Sequence, residues 1–422
     1  MRISGEDSFE IASRIVSRPI TAKDAGRFFH AKFTDPSGAS IDDGLALVFK
    51  APRSYTGEDA VELQCHGGTA SPRRVLEAVL SAGARLARRG EFTLRAFLNG
   101  RLSLDAAEAV IDLIDAKTDR AAQSAHERID GRSRREISAM YSKAVEISSR
   151  VENALDFSED ELPEGFLDEA RHDAEMLLKE MRRSCSELRE GEILRRGALV
   201  VLSGPPNSGK SSLMNAILGE SRAIVSAIAG TTRDSIEESI DIEGWPVRLA
   251  DTAGIRETTD EIEAEGVRRS ESLARKADIV LRLDDSWKAE AGIPARGFKR
   301  GMRVFTKADL HSGEDAPVGS VKVSALTGEG IGALRRAIAS MLDEMAAEGL
   351  EENGADVPTR EREAIAASAR AVEEAIGNLS SGDAVLAANS LQRAAAALGG
   401  YLGKIWREDI LTAIFDRFCV GK

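Results

Sequence analysis

The chain of 422 residues carries a formal net charge of −13, with 42% apolar and 30% charged residues. That length suits two or three domains with ordinary globular cores. The negative balance excludes a protein that coats nucleic acid by charge alone, since such binding rests on phosphate neutralisation by Lys and Arg; a local basic surface stays open.

The three cysteines, Cys65, Cys185 and Cys419, lie far apart without zinc-ligand or CxxC spacing. A reduced, cytoplasmic setting is expected. His66 beside Cys65 reads as packing, with no metal role. No apolar run reaches the roughly 18 residues of a membrane span, so no membrane association is expected. The start, MRISGEDSFEIASRI, lacks the apolar stretch of a signal peptide.

Residues 1–102 mix short alternating runs with helical ones, the texture of a small α+β domain. LALVFK puts Leu45, Leu47 and Phe49 on one strand face, and VELQC does the same with Val61, Leu63 and Cys65. SPRRVLEAVLSAG reads as a helix with Pro72 near its start and Gly83 after its end. From Ser103 to about residue 195 the period is helical. Val110, Leu113 and Ile114 begin it, Ala121, Ala125 and Ile129 follow, and Ile137 to Leu155 continue at spacings of three and four. LPEG at 162–165 interrupts the pattern, and Met176 to Leu188 resume it. Helical spacing returns only after EENGADVP at 351–358, through Ile365, Ala369, Val372 and Ile376, then Leu391–Leu398 and Ile410–Phe418. One α-helical bundle domain, 103–195 plus 346–422, interrupted by an insertion at 196–345, accounts for both stretches.

The insertion opens on ALVVLSGPPNSGKSSLMNAIL. A β-type run, Ala198 to Ser203, leads into Gly204-x-x-x-x-Gly209-Lys210-Ser211 and then a helical run, the strand–loop–helix context of a phosphate-binding loop. Asn207, Ser208, Gly209, Lys210, Ser211 and Ser212 are the expected loop contacts to GTP. Lys210 reaches the β- and γ-phosphates, and Ser211 is placed for Mg²⁺. AGTTRD offers Thr232 as the switch threonine that completes the Mg²⁺ shell. Ile236, Ile240 and Ile242 alternate, a turn falls at Glu243-Gly244, and Val247 and Leu249 lead back to Asp251-Thr252-Ala253-Gly254. Asp251 is the water-mediated Mg²⁺ partner, and Gly254 senses the γ-phosphate through its backbone. MRVFTKADL puts Asp309 after a strand, where its carboxylate can take both N–H donors of guanine. VKVSALTGEG supplies Ser324 and Ala325 beneath the base. In order, these elements describe a Ras-like α/β P-loop GTPase domain.

Two positions depart from the usual pattern. The base-recognition motif normally begins with asparagine; here it reads Thr306-Lys307-Ala308-Asp309. Thr306 has no amide to bond the purine or tie the loop to the phosphate loop, so looser guanine binding is expected, with specificity still set by Asp309. The residue after Gly254 is Ile255, where Ras-like proteins carry a glutamine that orients water. Either the protein barely hydrolyses GTP, or another group orients the water and another charge stabilises the transition state.

The chain resembles the MnmE (TrmE) family of bacterial tRNA-modification GTPases. SYTGEDAVELQCHGG, RRGEFTLRAFLNGRLSLDAAEAVIDLIDA, PNSGKSSLMNAI, AIVSAIAGTTRD, DTAGIRETTDEIEAEGVRRS and the closing FCVGK carry the resemblance, which covers nearly the whole chain. It implies an N-terminal folate-binding domain that dimerises, a helical domain, and a GTPase domain inserted into it. It implies K⁺ beside the phosphates in place of an arginine finger, held by the Asn207 side chain, Ser226, Ile228 and Thr231. A fixed cation there would counter charge as it develops. Ser226 and Thr231 join the GTP contacts on the same ground, with Thr306 and Lys307. By residue pattern alone, Glu257, Glu261, Glu263 and Glu265 read as a solvated acidic loop; the resemblance singles out Glu263 as the acid that orients water.

The resemblance further implies a homodimer and an FAD-dependent partner, MnmG, in a heterotetramer. Together they would install an aminomethyl or carboxymethylaminomethyl group on C5 of the wobble uridine of certain tRNAs. A reduced folate, 5-formyltetrahydrofolate or a relative, would be the one-carbon source. Its contacts would be Arg2, Glu62, Arg101 and Lys422. Arg101 stands where lysine is common, which keeps the charge and changes the reach. The family pattern starts earlier than this sequence, with a strand and a Gly-rich turn ahead of RISG; either the true start lies upstream or the domain lacks its first strand, and Arg2 would then sit on a loose end. Ile410, Leu411, Ile414, Phe415 and Phe418 form one apolar stripe that would anchor the tail. Lys422 would then offer an ammonium to a folate, and Cys419 is a possible modification-site nucleophile if its pKa is lowered. A ribosome-assembly GTPase shares the nucleotide core but usually carries an RNA-binding appendage, which the helical flanks and FCVGK speak against. A GTP-gated dimeric scaffold, with no catalytic part in modification, is the other alternative.

Overall fold

The computed structural model describes residues 1–155, 165–219, 237–251, 273–287, 300–311, 313, 317, 319–348 and 359–402. Among them the chain forms two compact units, residues 1–111 with 128–131, and residues 112–127 with those from 132 onward.

The first unit is built on a four-stranded antiparallel sheet: β1 (Arg2–Ser4), β2 (Phe28–Thr34), β3 (Ser40–Phe49) and β4 (Ala60–Gln64), in the order β1-β4-β3-β2. Helices α1 (Ser8–Ser13) and α2 (Ala70–Ser81) bury one side of it. The core takes Ala31, Phe33, Ala46, Val48, Val61 and Leu63 from the sheet and Val75, Ala78 and Val79 from α2. Leu45, Leu47 and Phe49 do share a strand face, but it is the half-buried one. The register sets Ala46 opposite Leu63 and Val48 opposite Val61. Directly paired side chains share a face, so the small residues of β3 join the core. Helices α3 (Glu91–Leu98) and α4 (Leu104–Asp115) add a satellite cluster around Leu104 and Ala107.

Arg2 is not on a loose end. It lies in β1 with Arg2 opposite Glu62, and the Met1 amine and carbonyl both bond the Leu63 backbone at 2.8 Å.

The second unit holds a six-stranded sheet of β5 (Ala198–Ser203), β6 (Glu237–Ile242), β7 (Trp245–Asp251), β8 (Ile279–Asp284), β9 (Gly301–Phe305) and β10 (Ser320–Lys322), ordered β10-β9-β8-β5-β7-β6. Only β6 runs antiparallel. It joins β7 through Glu243 (φ +52) and Gly244 (φ +86), the two positive angles of the tight hairpin the sequence suggests. Ala198 to Leu202 are buried, as a central parallel strand covered on both faces requires. Helices α8 (Lys210–Gly219) and α9 (Ile331–Ala347) follow the sheet strands.

After the short helix α5 (Asp119–Ile129), a separate helical core gathers α6 (Arg132–Leu155), α7 (Phe166–Arg196), α10 (Arg360–Ser380) and α11 (Ala384–Leu402). Ile137, Met140, Ala144, Ile147 and Val151 make its α6 stripe, while Tyr141, Val145 and Leu155 of the same run stay at the surface. The 31 residues of α7 run about 46 Å. Leu177, Met181 and Cys185 enter the helical core, and Ile193 and Leu194 the core of the sheet. Arg196 then pairs with Asp278 through two 2.8 Å contacts, locking the helix end to the chain entering β8. No described helix is long and apolar enough to cross a membrane.

Candidate nucleotide site

The loop after β5 leaves the carboxyl end of a parallel sheet, with β8 and β7 on either side of β5, which is where ligands of such sheets bind. Two glycines are needed for its shape. A Cβ on Gly204 would stand 2.8 Å from the Leu283 carbonyl and from the Ser208 hydroxyl, and Gly209 has φ +87. Asn207 also takes a left-handed backbone, φ +64, which asparagine tolerates. Helix α8 begins at Lys210, so its N-terminal N–H groups and partial positive charge face the loop. The nearly buried Lys210 ammonium donates to the carbonyls of Gly204 at 2.9 Å and Pro205 at 2.8 Å.

Ser211 Oγ donates to Asp251 Oδ2 at 2.7 Å, joining the start of α8 to the end of β7. A hydroxyl beside a carboxylate is a hard-oxygen set that fits Mg²⁺. Ser212 follows, exposed on α8.

At the end of β9, Thr306 donates its hydroxyl to the Ser208 carbonyl at 2.8 Å, and its backbone N–H to Asp284 at 2.9 Å. The expectation that threonine leaves the base loop untied from the phosphate loop is therefore corrected: a hydroxyl makes the tie that an amide was expected to make. Lys307, at φ +59, pairs with Asp285 at 2.6 Å. Ser324 Oγ donates to Asp309 Oδ1 at 2.5 Å, and the Ala308 backbone N–H reaches the Val323 carbonyl at 3.1 Å. Asp309 and the Ser324-Ala325 segment are thus neighbours. Sequence reasoning missed the contacts of Trp287 and His311 around this loop. The available signal was a tryptophan in a polar turn, DDSW, directly after an apolar strand.

In the first unit, Arg2 Nε pairs with Glu62 Oε1 at 2.7 Å, and the guanidinium lies 4.6 Å from the Tyr55 ring centre and 5.6 Å from that of Phe92. Arg101 is exposed, its stem against Gly57, where an added Cβ would meet Arg101 Cγ at 3.2 Å. Arg95 joins the β4 approach to α3, pairing with Glu58 at 2.9 Å and Glu91 at 2.8 Å. A cavity of about 970 Å³ is lined by Arg2, Leu63, His66, Arg73 and Phe92, among others, but not by Glu62 or Arg101. Ser226, Ile228, Thr231, Thr232, Thr252, Ala253, Gly254, Ile255, Glu263, Cys419 and Lys422 lie outside the described residues.

The parallel sheet, the glycine-shaped loop at its carboxyl edge, the Ser211–Asp251 pair and the Asp309 loop define a P-loop nucleotide-binding protein of the GTPase type. The profile of the MnmE helical domain matches residues 104–419, and that of the GTP-binding protein TrmE N-terminus matches residues 1–101. The chain belongs to the MnmE (TrmE) family. It is similar over its whole length to proteins named tRNA modification GTPase MnmE: 42% identical to that of Symbiobacterium thermophilum, covering 96% of the relative. Identity is 39% with that of Thermus thermophilus and 40% with that of Bordetella petrii, each covered to 95%.

Proposed function

We propose that the protein hydrolyses GTP and couples hydrolysis to modification of tRNA. The observation that carries the reading is the Ser211–Asp251 pair beside Lys210, at 2.7 Å, within a chain similar end to end to tRNA modification GTPases. Lys210 and the α8 N-terminus would bind the phosphates. Ser211 and Thr232 would hold Mg²⁺, with Asp251 behind a coordinated water. Bound Mg²⁺ would neutralise charge on the β- and γ-oxygens. Asn207, Ser208, Gly209, Ser212, Ser226, Thr231, Thr252, Ala253 and Gly254 would complete the phosphate surround. Thr306, Lys307, Asp309, Ser324 and Ala325 would take the base.

The finer reading is that hydrolysis depends on K⁺. Asn207, Ser226, Ile228 and Thr231 would hold the ion, which would supply positive charge at the phosphates. Glu263 would orient the water, since Ile255 cannot. Turnover in K⁺ against Na⁺ at matched ionic strength tests this; equal rates overturn it. Glu263→Ala should abolish turnover with nucleotide affinity within a few-fold, because the acid orients water without gripping ground-state GTP.

For the modification, we infer that a reduced folate supplies the carbon, bound through Arg2, Glu62 and Arg101 in residues 1–102 and through the terminal Lys422, with Cys419 as a modification-site residue. The Arg2–Glu62 pair supports it, offering one cation and one carboxylate on a single strand pair. Residues 1–102 would also dimerise, 103–195 with 346–422 would form the helical domain, and 196–345 the GTPase domain. A cytoplasmic homodimer acting with an FAD-dependent partner of the MnmG type on the wobble uridine of tRNA completes the reading. Mass spectrometry of wobble nucleosides from cells lacking the gene tests it: unchanged nucleosides would leave a GTPase with another target or a GTP-gated scaffold.

A further inference from the structure

Beyond β8 the chain runs Asp284-Asp285-Ser286-Trp287, a segment used by none of the motifs above. Trp287 has φ +51, a left-handed backbone that bulky residues keep only where their surroundings hold them in it. The holding contacts lead to one place. The Asp284 carboxylate accepts from the Ser286 backbone N–H at 2.8 Å and from its hydroxyl at 2.7 Å, closing the turn that presents Trp287. Arg303 of β9 pairs with the same carboxylate. Burial alone would raise the Asp284 carboxyl, but its Ser286 and Arg303 contacts outweigh burial and hold it below the usual carboxylate range. The indole Nε1–H donates to the Thr306 carbonyl at 2.8 Å. Its ring stacks on His311 at 4.8 Å between centres and 18° between planes, and tilts against Phe305 at 5.3 Å. Trp287 thus grips the residue before the base loop, the loop's first residue, and a residue just past Asp309.

We propose that Trp287 is a positioning residue for guanine recognition, fixing the main chain of residues 305–311 so that Asp309 meets the base squarely. The proposal rests on the reading of Thr306–Asp309 as the guanine loop. A carboxylate that must take two N–H donors at once tolerates little drift. Threonine has one hydroxyl proton, and here it is given to the Ser208 carbonyl. Trp287 supplies a second anchor, on the Thr306 carbonyl. The Lys307–Asp285 pair draws a third strand of contact from the same turn.

The test compares GDP with inosine diphosphate, whose base lacks the exocyclic amine and so offers Asp309 one donor. Dissociation constants are measured by calorimetry on the full chain for wild type, Trp287→Phe and Trp287→Leu. Phe keeps a stacking ring without the N–H, and Leu keeps neither. Trp287→Phe should weaken GDP by about tenfold, the scale of one lost buried hydrogen bond, and inosine diphosphate by distinctly less. The guanine preference should narrow in Phe and narrow further in Leu. A merely structural tryptophan would weaken both nucleotides alike; equal weakening, or an unchanged preference in both variants, overturns the proposal. A wild type that binds the two nucleotides equally overturns the guanine-loop reading itself, which separates the two failures.

Discussion

The Thr306 hydroxyl donates to the Ser208 carbonyl across 2.8 Å, and both residues are buried. Ser208 belongs to the phosphate loop and Thr306 opens the base loop, so one hydrogen bond joins the two ends of the nucleotide site. Thr306→Val keeps the shape and removes the donor, leaving a buried carbonyl unpaired. GDP affinity should fall by roughly fivefold to tenfold, equivalent to about 1 kcal/mol. Thr306→Ser should stay near wild type. Because the tie already exists, Thr306→Asn should gain no more than about threefold. Competition with a fluorescent GDP analogue measures all three, and a tighter valine variant would remove the role.

Asp309 receives the Ser324 hydroxyl on Oδ1, which orients the carboxylate. Asp309→Asn retains an acceptor for that hydroxyl but presents an amide donor to the base. GDP affinity should drop on the order of a hundredfold, the loss of two charge-assisted bonds. Xanthosine diphosphate, with a carbonyl where guanine has an amine, should gain. A parallel loss for both nucleotides would count against Asp309 as the base contact.

Cys185 is fully buried in the helical core, and burial pushes its thiol up to about 12. The thiolate is the reactive form, so iodoacetamide at pH 8 should leave Cys185 unmodified in the folded chain and modify it after denaturation. Peptide mass spectrometry reads the difference. Half-buried Cys65 should react at an intermediate rate.

Much of this was legible in the sequence because the signals were local. The phosphate loop is contiguous, its glycines answer backbone angles, and the helical periods of residues 137–151 and 365–372 fall on buried faces. Facing across strands was less legible. Leu45 and Leu47 were the larger residues of β3, yet pairing with Val61 and Leu63 drew Ala46 and Val48 into the core. Register, not residue size, decides which face is buried. The Thr306–Ser208 bond spans 98 positions, and the sequence offered only the asparagine that was missing. The contacts of Trp287 were hidden for the same reason, since their partners come from another strand end. Arg2 was misplaced because a chain start carries no mark of the strand it pairs with.

Glu91, at the start of α3, offers a test of stability against pH. Arg85 bonds its carboxylate first, burial opposes, and the Arg88 backbone N–H and Arg95 add to Arg85; together they hold it at about 2. A carboxyl held low contributes stability that is complete above its ordinary value of 4.5 and is lost as pH falls through about 2. Glu91→Gln should therefore destabilise the first unit at pH 7 by about 1–2 kcal/mol, a figure kept small because Arg85 is largely exposed. The gap between variant and wild type should stay constant from pH 7 to about 5 and close progressively toward pH 2. Hydrogen exchange of the α3 amides, corrected for intrinsic rates, reads the local unfolding free energy at each pH. A gap that stays unchanged down to pH 2 would show that Glu91 acts through its shape and not through its charge.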